Sequence, residues 1–141
     1  MLSSVVLSVA LAGDAPNSIG VDVGASSGCF GICLAYDRTI NERVGVGLTL
    51  SPWVVMNAAA LQLPVTVANP GSLTVFLEPG VGTWISPLSR EVFVGAQLSL
   101  GVRRGLGESG FVSAQAGAWA AYDLGELVPM PDVRVGVGRS F

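Results

Sequence analysis

At 141 residues the chain is long enough to bury one hydrophobic core and too short for two ordinary domains. Half of its residues are hydrophobic, only 12% are charged, nineteen are glycine, and the mean hydropathy is +0.62. A domain bathed in water usually carries about a quarter charged residues, so something other than water is expected to face much of this surface. A net charge of -3 with seven scattered arginines excludes a basic nucleic-acid footprint, and the absence of histidine and lysine removes the commonest general base and the Schiff-base amine together.

The chain opens on "MLSSVVLSVALAGDAP", an apolar stretch followed by Ala10, Leu11 and Ala12 in the small-x-small order of a signal-peptide cleavage site. Residues 1–12 therefore resemble a secretory signal peptide, atypical in having no basic residue near Met1. Residues 13–17 form a short N-terminal segment, and one domain is expected over 18–141. No run of 18 or more apolar residues exists that could make a spanning helix.

From Ser18 onward the repeat is two, the period of a strand whose faces meet different environments. In chain order the alternating segments are "SIGVDVG", "CFGICLAYD", "RVGVGLTLS", "ALQLPVTVA", "LTVFLEPGVGTW", "VFVGAQLSLGVR", "FVSAQAGAWAAYD" and "DVRVGVGRSF", which makes eight expected strands. Short breaks with turn chemistry separate them at 26–28, 38–42, 69–72, 86–89 and 103–109, and longer connections are expected at 52–58 and 123–131.

The two faces differ in kind. Val92, Val94, Ala96, Leu98, Leu100 and Val102 share an aliphatic face, opposite Phe93, Gly95, Gln97, Ser99, Gly101 and Arg103. A water-facing surface would be rich in Lys, Glu and Asp, whereas this second face holds Gly, Ser, Gln, Thr and aromatic rings. Turned inward it makes sense, because eight strands close into a barrel whose interior is only just wide enough for side chains to fill. Phe76, Trp84, Phe93, Phe111 and Trp119 would then need tiny neighbours such as Gly80, Gly82, Gly95, Gly101 and Gly117. Asp22, Glu78, Gln97, Arg103, Gln115 and Arg134 fall on the same face and are expected to form a paired polar network, since an unpaired interior charge costs several kcal/mol. The expected fold is all-β, an eight-stranded antiparallel up-and-down transmembrane barrel with its aliphatic face outward.

The closing strand, with Phe141 preceded at alternate positions by Val137, Val135 and Val133, resembles the C-terminal signature of bacterial outer-membrane β-barrels of the small OmpA/OmpX type. Arg139 stands where a hydrophobic or aromatic residue is more usual, and near an interface it can snorkel to headgroups. The resemblance implies residence in the outer membrane, contact with its lipid, and reading of the last strand by the barrel-assembly machinery. It also implies that both ends of the barrel domain lie on the periplasmic side, with Trp53 and Tyr122 near the outer interfacial girdle.

Cys29 and Cys33 are the only cysteines. In a straight strand, residues four apart lie about 13 Å from each other, beyond the reach of a disulfide. Either both thiols point into the lumen, or the segment bulges at the first outer connection and closes a small bridge in the oxidising envelope. A metal site lacks a histidine partner, and no cofactor is implied. Enzymes among small outer-membrane barrels use a histidine with their serine or carboxylate, and none is present here. Glu78 and Asp22 are single acids on distant strands, and the "GVG" pieces lack the further glycine and helix of a nucleotide fingerprint. A non-enzymatic barrel with a filled lumen is thus expected, in a structural or surface-interaction role whose ligand the sequence does not name. A narrow channel is the alternative, ahead of a lipid-modifying enzyme or a lipocalin-like binder.

Overall fold

Seven of the eight alternating segments form one strand each and "ALQLPVTVA" contributes to two, while each polar break turns the chain back antiparallel to itself. The structure, a computed structural model, describes residues 17–52, 56–123 and 125–141, so the expected signal peptide and Trp53 lie outside the described residues. The strands are β1 (Asn17–Ser26), β2 (Cys29–Thr39), β3 (Gly45–Pro52), β4 (Asn57–Gln62), β5 (Val65–Ala68), β6 (Leu73–Ile85), β7 (Val92–Leu106), β8 (Gly110–Asp123) and β9 (Glu126–Ser140). Apart from β4 and β5, neighbours in sequence pair as hairpins, and β1 pairs with β9 from Ser18 opposite Ser140 to Ala25 opposite Val133, which closes the sheet into a barrel. Closure leaves no long edge and satisfies the backbone within the wall.

Nine strands make eight staves, because β4 and β5 both pair with β6 and are two halves of one stave. The break falls at Leu63 and Pro64. Proline has no amide hydrogen to give the ladder, yet the neighbouring groups remain bonded: Leu63 N donates to Pro79 O at 2.8 Å, and Gly45 N donates to Pro64 O at 3.0 Å. The wall bends there without opening.

The long connection expected at 123–131 is instead a tight hairpin. Asp123 stands opposite Glu126, and Gly125 takes the turn at a φ of 99°. Pro129 and Pro131 suggested a loop, but they sit opposite Ala120 and Ala118 in the ladder, and β9 runs past the end of β1 at this height. No strand on that side asks for the hydrogens that the two prolines lack.

Outward and inward faces follow the alternation. Ile19, Val21, Val23, Leu34, Leu48, Leu50, Leu61, Val81, Leu98, Leu100, Val133, Val135 and Val137 are all exposed, while Asp22, Glu78, Gln97, Arg103, Asp132 and Arg134 are buried. Most of the largest aliphatic side chains therefore point away from the interior and the charges point into it. Asn17 and Phe141 exchange backbone hydrogen bonds of 3.1 and 2.9 Å at one end of the barrel, called here the terminal end. The connections after β1, β3, β6 and β8 lie at the opposite mouth.

Candidate functional site

Among the described residues the interior gathers most of the buried polar side chains, and it is built in three tiers. Nearest the terminal end, Arg103 of β7 lies with its guanidinium 4.0 Å from the Phe111 ring centroid and 5.9 Å from that of Phe76. Its Nη2 meets Asp37 of β2 at 3.3 Å, and Ser18 donates to the same carboxylate at 3.5 Å. The rings fit because Gly101 and Gly138 lie directly against Phe76 and Phe111, where any side chain would collide with them. Only part of the expected ring-on-glycine packing takes this form: Gly95 meets Trp119, but Gly80, Gly82 and Gly117 make room for Gln62 and Gln97, Ser27, and Ser99 respectively.

Arg134 of β9 occupies the middle tier at 3% side-chain exposure and is ringed by acceptors. It is paired with Glu78 of β6, lies 3.7 Å from Asp22 of β1 and 3.8 Å from Asp132, and donates to Thr49 Oγ1 at 3.0 Å. With the Gln62 amide turned so that its oxygen faces the guanidinium, that oxygen accepts from both Nη atoms at 3.2 Å. Gln115 and Gln97 donate to Glu78 at 3.0 and 3.5 Å. In surroundings of low dielectric each charge is thus matched by partners on several staves, the condition for tolerating it there.

The third tier fills the opposite mouth. Ser99 donates to the carboxylate of Asp132, and the rings of Trp84 and Trp119 pack 4.9 Å apart between centroids. Against Trp84 and Gln97 lies the tip of the β1–β2 hairpin, whose Ser26 and Ser27 are wholly buried. Ser27 donates to Gln97 of β7, and Trp84 Nε1 of β6 donates to Ser26 O at 2.7 Å. Cys29 and Cys33 are joined by a disulfide across a Cα separation of 5.4 Å, less than half the span of a straight strand. Gly31 between them has a φ of 78°, a left-handed conformation open to glycine at little cost.

Chemically the interior binds itself. Ser99 beside Asp132 resembles half of a nucleophile pair, but no imidazole completes it and both residues are shut from solvent. Among the described residues no three His, Cys, Asp or Glu side chains are grouped to hold a metal ion.

No protein-family model matches the sequence, and no curated protein matches it significantly. Among solved structures, the N-terminal β-barrel domain of OprF from Pseudomonas aeruginosa is similar, with a TM-score of 0.68 and 18% identity over 89% of this chain and 96% of that one. The chain has the OprF-type barrel fold. Identity this low speaks for architecture alone, and the residues filling the lumen have to be read from this chain itself.

Within this OprF-type barrel the six polar residues singled out by alternation all face the lumen. Arg134, Glu78, Asp22, Gln97 and Gln115 share one network, whereas Arg103 belongs to the separate tier of Asp37. Asp37, Thr49, Gln62 and Asp132 were missed, although period two held the signal, and Ser99 was read onto the inner face but not into the network. Asp37 has the parity of Cys33, and Asp132 that of Arg134. Val133, Val135, Val137 and Phe141 point outward in one row beside Arg139, whose Nε donates to Ser109 Oγ at 3.1 Å. Tyr122 is exposed at the mouth opposite the terminal end, across from Leu127.

Proposed function

We propose that the protein is a non-enzymatic integral outer-membrane β-barrel, inserted with its aliphatic wall in lipid and its lumen closed by side chains, in a structural or surface-interaction role. One observation carries this reading: the barrel is apolar outside and ion-paired inside. In water that arrangement forfeits the burial of its aliphatic groups, whereas in a bilayer the wall meets hydrocarbon and the charges stay shielded. The OprF-type fold adds support at the level of architecture. Three tiers of packed side chains favour a closed barrel over a channel, and the absence of histidine favours a non-enzymatic role. Arg38, Arg104 and Arg139 lie at the terminal end of the wall, outside the aliphatic band, where long side chains can reach headgroups. The row Val133, Val135, Val137 and Phe141 is the feature an assembly machinery would read.

Folding into lipid vesicles tests the face assignment. Leu98 is 57% exposed on the wall and Gln97 is 4% exposed in the lumen. Leu98→Arg should abolish the shifted migration of the unboiled protein on SDS gels, because a charge in mid-bilayer on the lipid side costs about 2–4 kcal/mol. Gln97→Arg, beside Glu78, should retain it. Equal effects, or a wild-type chain that dissolves without detergent and shows no shift, would overturn the proposal.

A further inference from the structure

We infer that the β1–β2 tip is a plug for the mouth opposite the terminal end, held in the lumen by the Cys29–Cys33 disulfide acting as a latch. The inference rests on the barrel fold and not on where the barrel resides. Hairpin tips normally stand at the rim of a barrel, in solvent. This one is buried throughout: Ser26, Ser27 and Cys29 have no exposed surface. Its contacts lie across the lumen on β6 and β7, which face β1 and β2 from the far side of the eight-stave ring. Ser26 O accepts from Trp84 Nε1, Ser27 donates to Gln97, and a methyl group added to Gly82 would lie 2.7 Å from the Ser27 side chain. Gly28 abuts Ala60 of β4 so closely that a side chain there would collide with it. Phe30, whose parity points it outward, reaches the Trp84 ring edge-on at 5.5 Å because the tip leans over the mouth.

The disulfide supplies the mechanical reason. β1 and β2 remain in register up to Ser26 opposite Cys29, with Gly24 opposite Gly31, so the hairpin bends as a unit at that glycine pair. Cys29 and Cys33 flank Gly31 on the inner face. Drawing their Cα atoms to 5.4 Å shortens the inner side of β2 alone, and a ribbon shortened on one side curls toward that side. Without the bond, residues 29–33 are free to extend toward the roughly 13 Å of a regular strand, and the tip would rise out of the mouth. The space it leaves is bounded by Trp84, Trp119 and Gln97, with the Arg134–Glu78 pair still closing the lumen below.

Hydrogen exchange read by mass spectrometry on the full chain refolded in detergent micelles tests this, comparing wild type with the double variant Cys29→Ser, Cys33→Ser. The expected result is at least tenfold faster exchange over residues 26–31, with residues 99–118 of β7 and β8 unchanged. In a Trp53→Phe background, acrylamide quenching of the remaining tryptophans should at least double on removing the disulfide, since Trp84 and Trp119 lose their cover. Unchanged exchange would overturn the latch. Faster exchange without greater quenching would overturn the plug, because the tip would then have loosened without leaving. Failure of the double variant to fold would also count against it, since a latch that only positions a tip leaves closure of the eight staves intact.

Discussion

Arg134 shows how one residue can organise a lumen. Among the described residues it is the cation in ion-pair range of Asp22, Glu78 and Asp132, so its removal takes the nearest positive charge from three carboxylates held away from water. Breaking a buried pair by deleting one partner costs about 3–5 kcal/mol, more than the net worth of the pair, because the abandoned charge stays buried. Arg134→Met should therefore lower the urea midpoint of the refolded barrel strongly, and Glu78→Gln less, since that amide still offers a hydrogen-bond acceptor to the guanidinium. Equal midpoints for the two variants would show that the acids do not depend on Arg134. Legibility differed from residue to residue here: the parity of Arg134 and Glu78 placed both inside, but no rule of alternation says which carboxylate on a strand far away in sequence will meet which guanidinium.

At the scale of elements, β9 is the strand most changed by the structure. Its first seven residues, Glu126 to Asp132, pair with β8 but rise past the last paired residue of β1, leaving a short free edge on the β1 side. Pro129 and Pro131 protect it: opposite Ala120 and Ala118, a proline is compatible with the ladder only where its nitrogen points away from β8. They thereby remove the donors to which a passing strand would bond. Replacing both by threonine should restore those donors and shift the refolded protein in micelles from monomer toward dimers or larger species in sedimentation velocity. An unchanged distribution would mean that the edge is protected otherwise. The same prolines made 123–131 read as a loop, because sequence alone does not reveal where a neighbouring strand stops.

At the scale of the whole molecule, the lumen is filled from end to end: Phe76, Phe111 and Arg103, then the Arg134 network, then the β1–β2 tip with Trp84 and Trp119. The three tiers block the passage independently, so planar bilayers containing the wild-type protein should stay at baseline conductance. Releasing the tip alone should leave them there, because the two lower tiers remain. Stable single-channel steps from the wild type would instead favour the narrow channel. The disulfide closes a loop of only five residues, which by loop-closure entropy is worth about 2 kcal/mol. That is modest beside the closure of eight staves, in keeping with a bond that positions a tip rather than holds the barrel together.

The number of staves, their antiparallel order and the sorting of side chains into an aliphatic wall and a polar interior were determined by the sequence itself. Those properties follow from a period of two repeated over short segments with turn residues between them, which is local information. Only the tertiary structure decided which lumen charges pair, that β9 outruns β1, and that the first hairpin folds inward across the mouth. Each depends on which staves face one another once the barrel has closed, and closure brings together residues as remote as Ser27 and Gln97, which no local pattern relates.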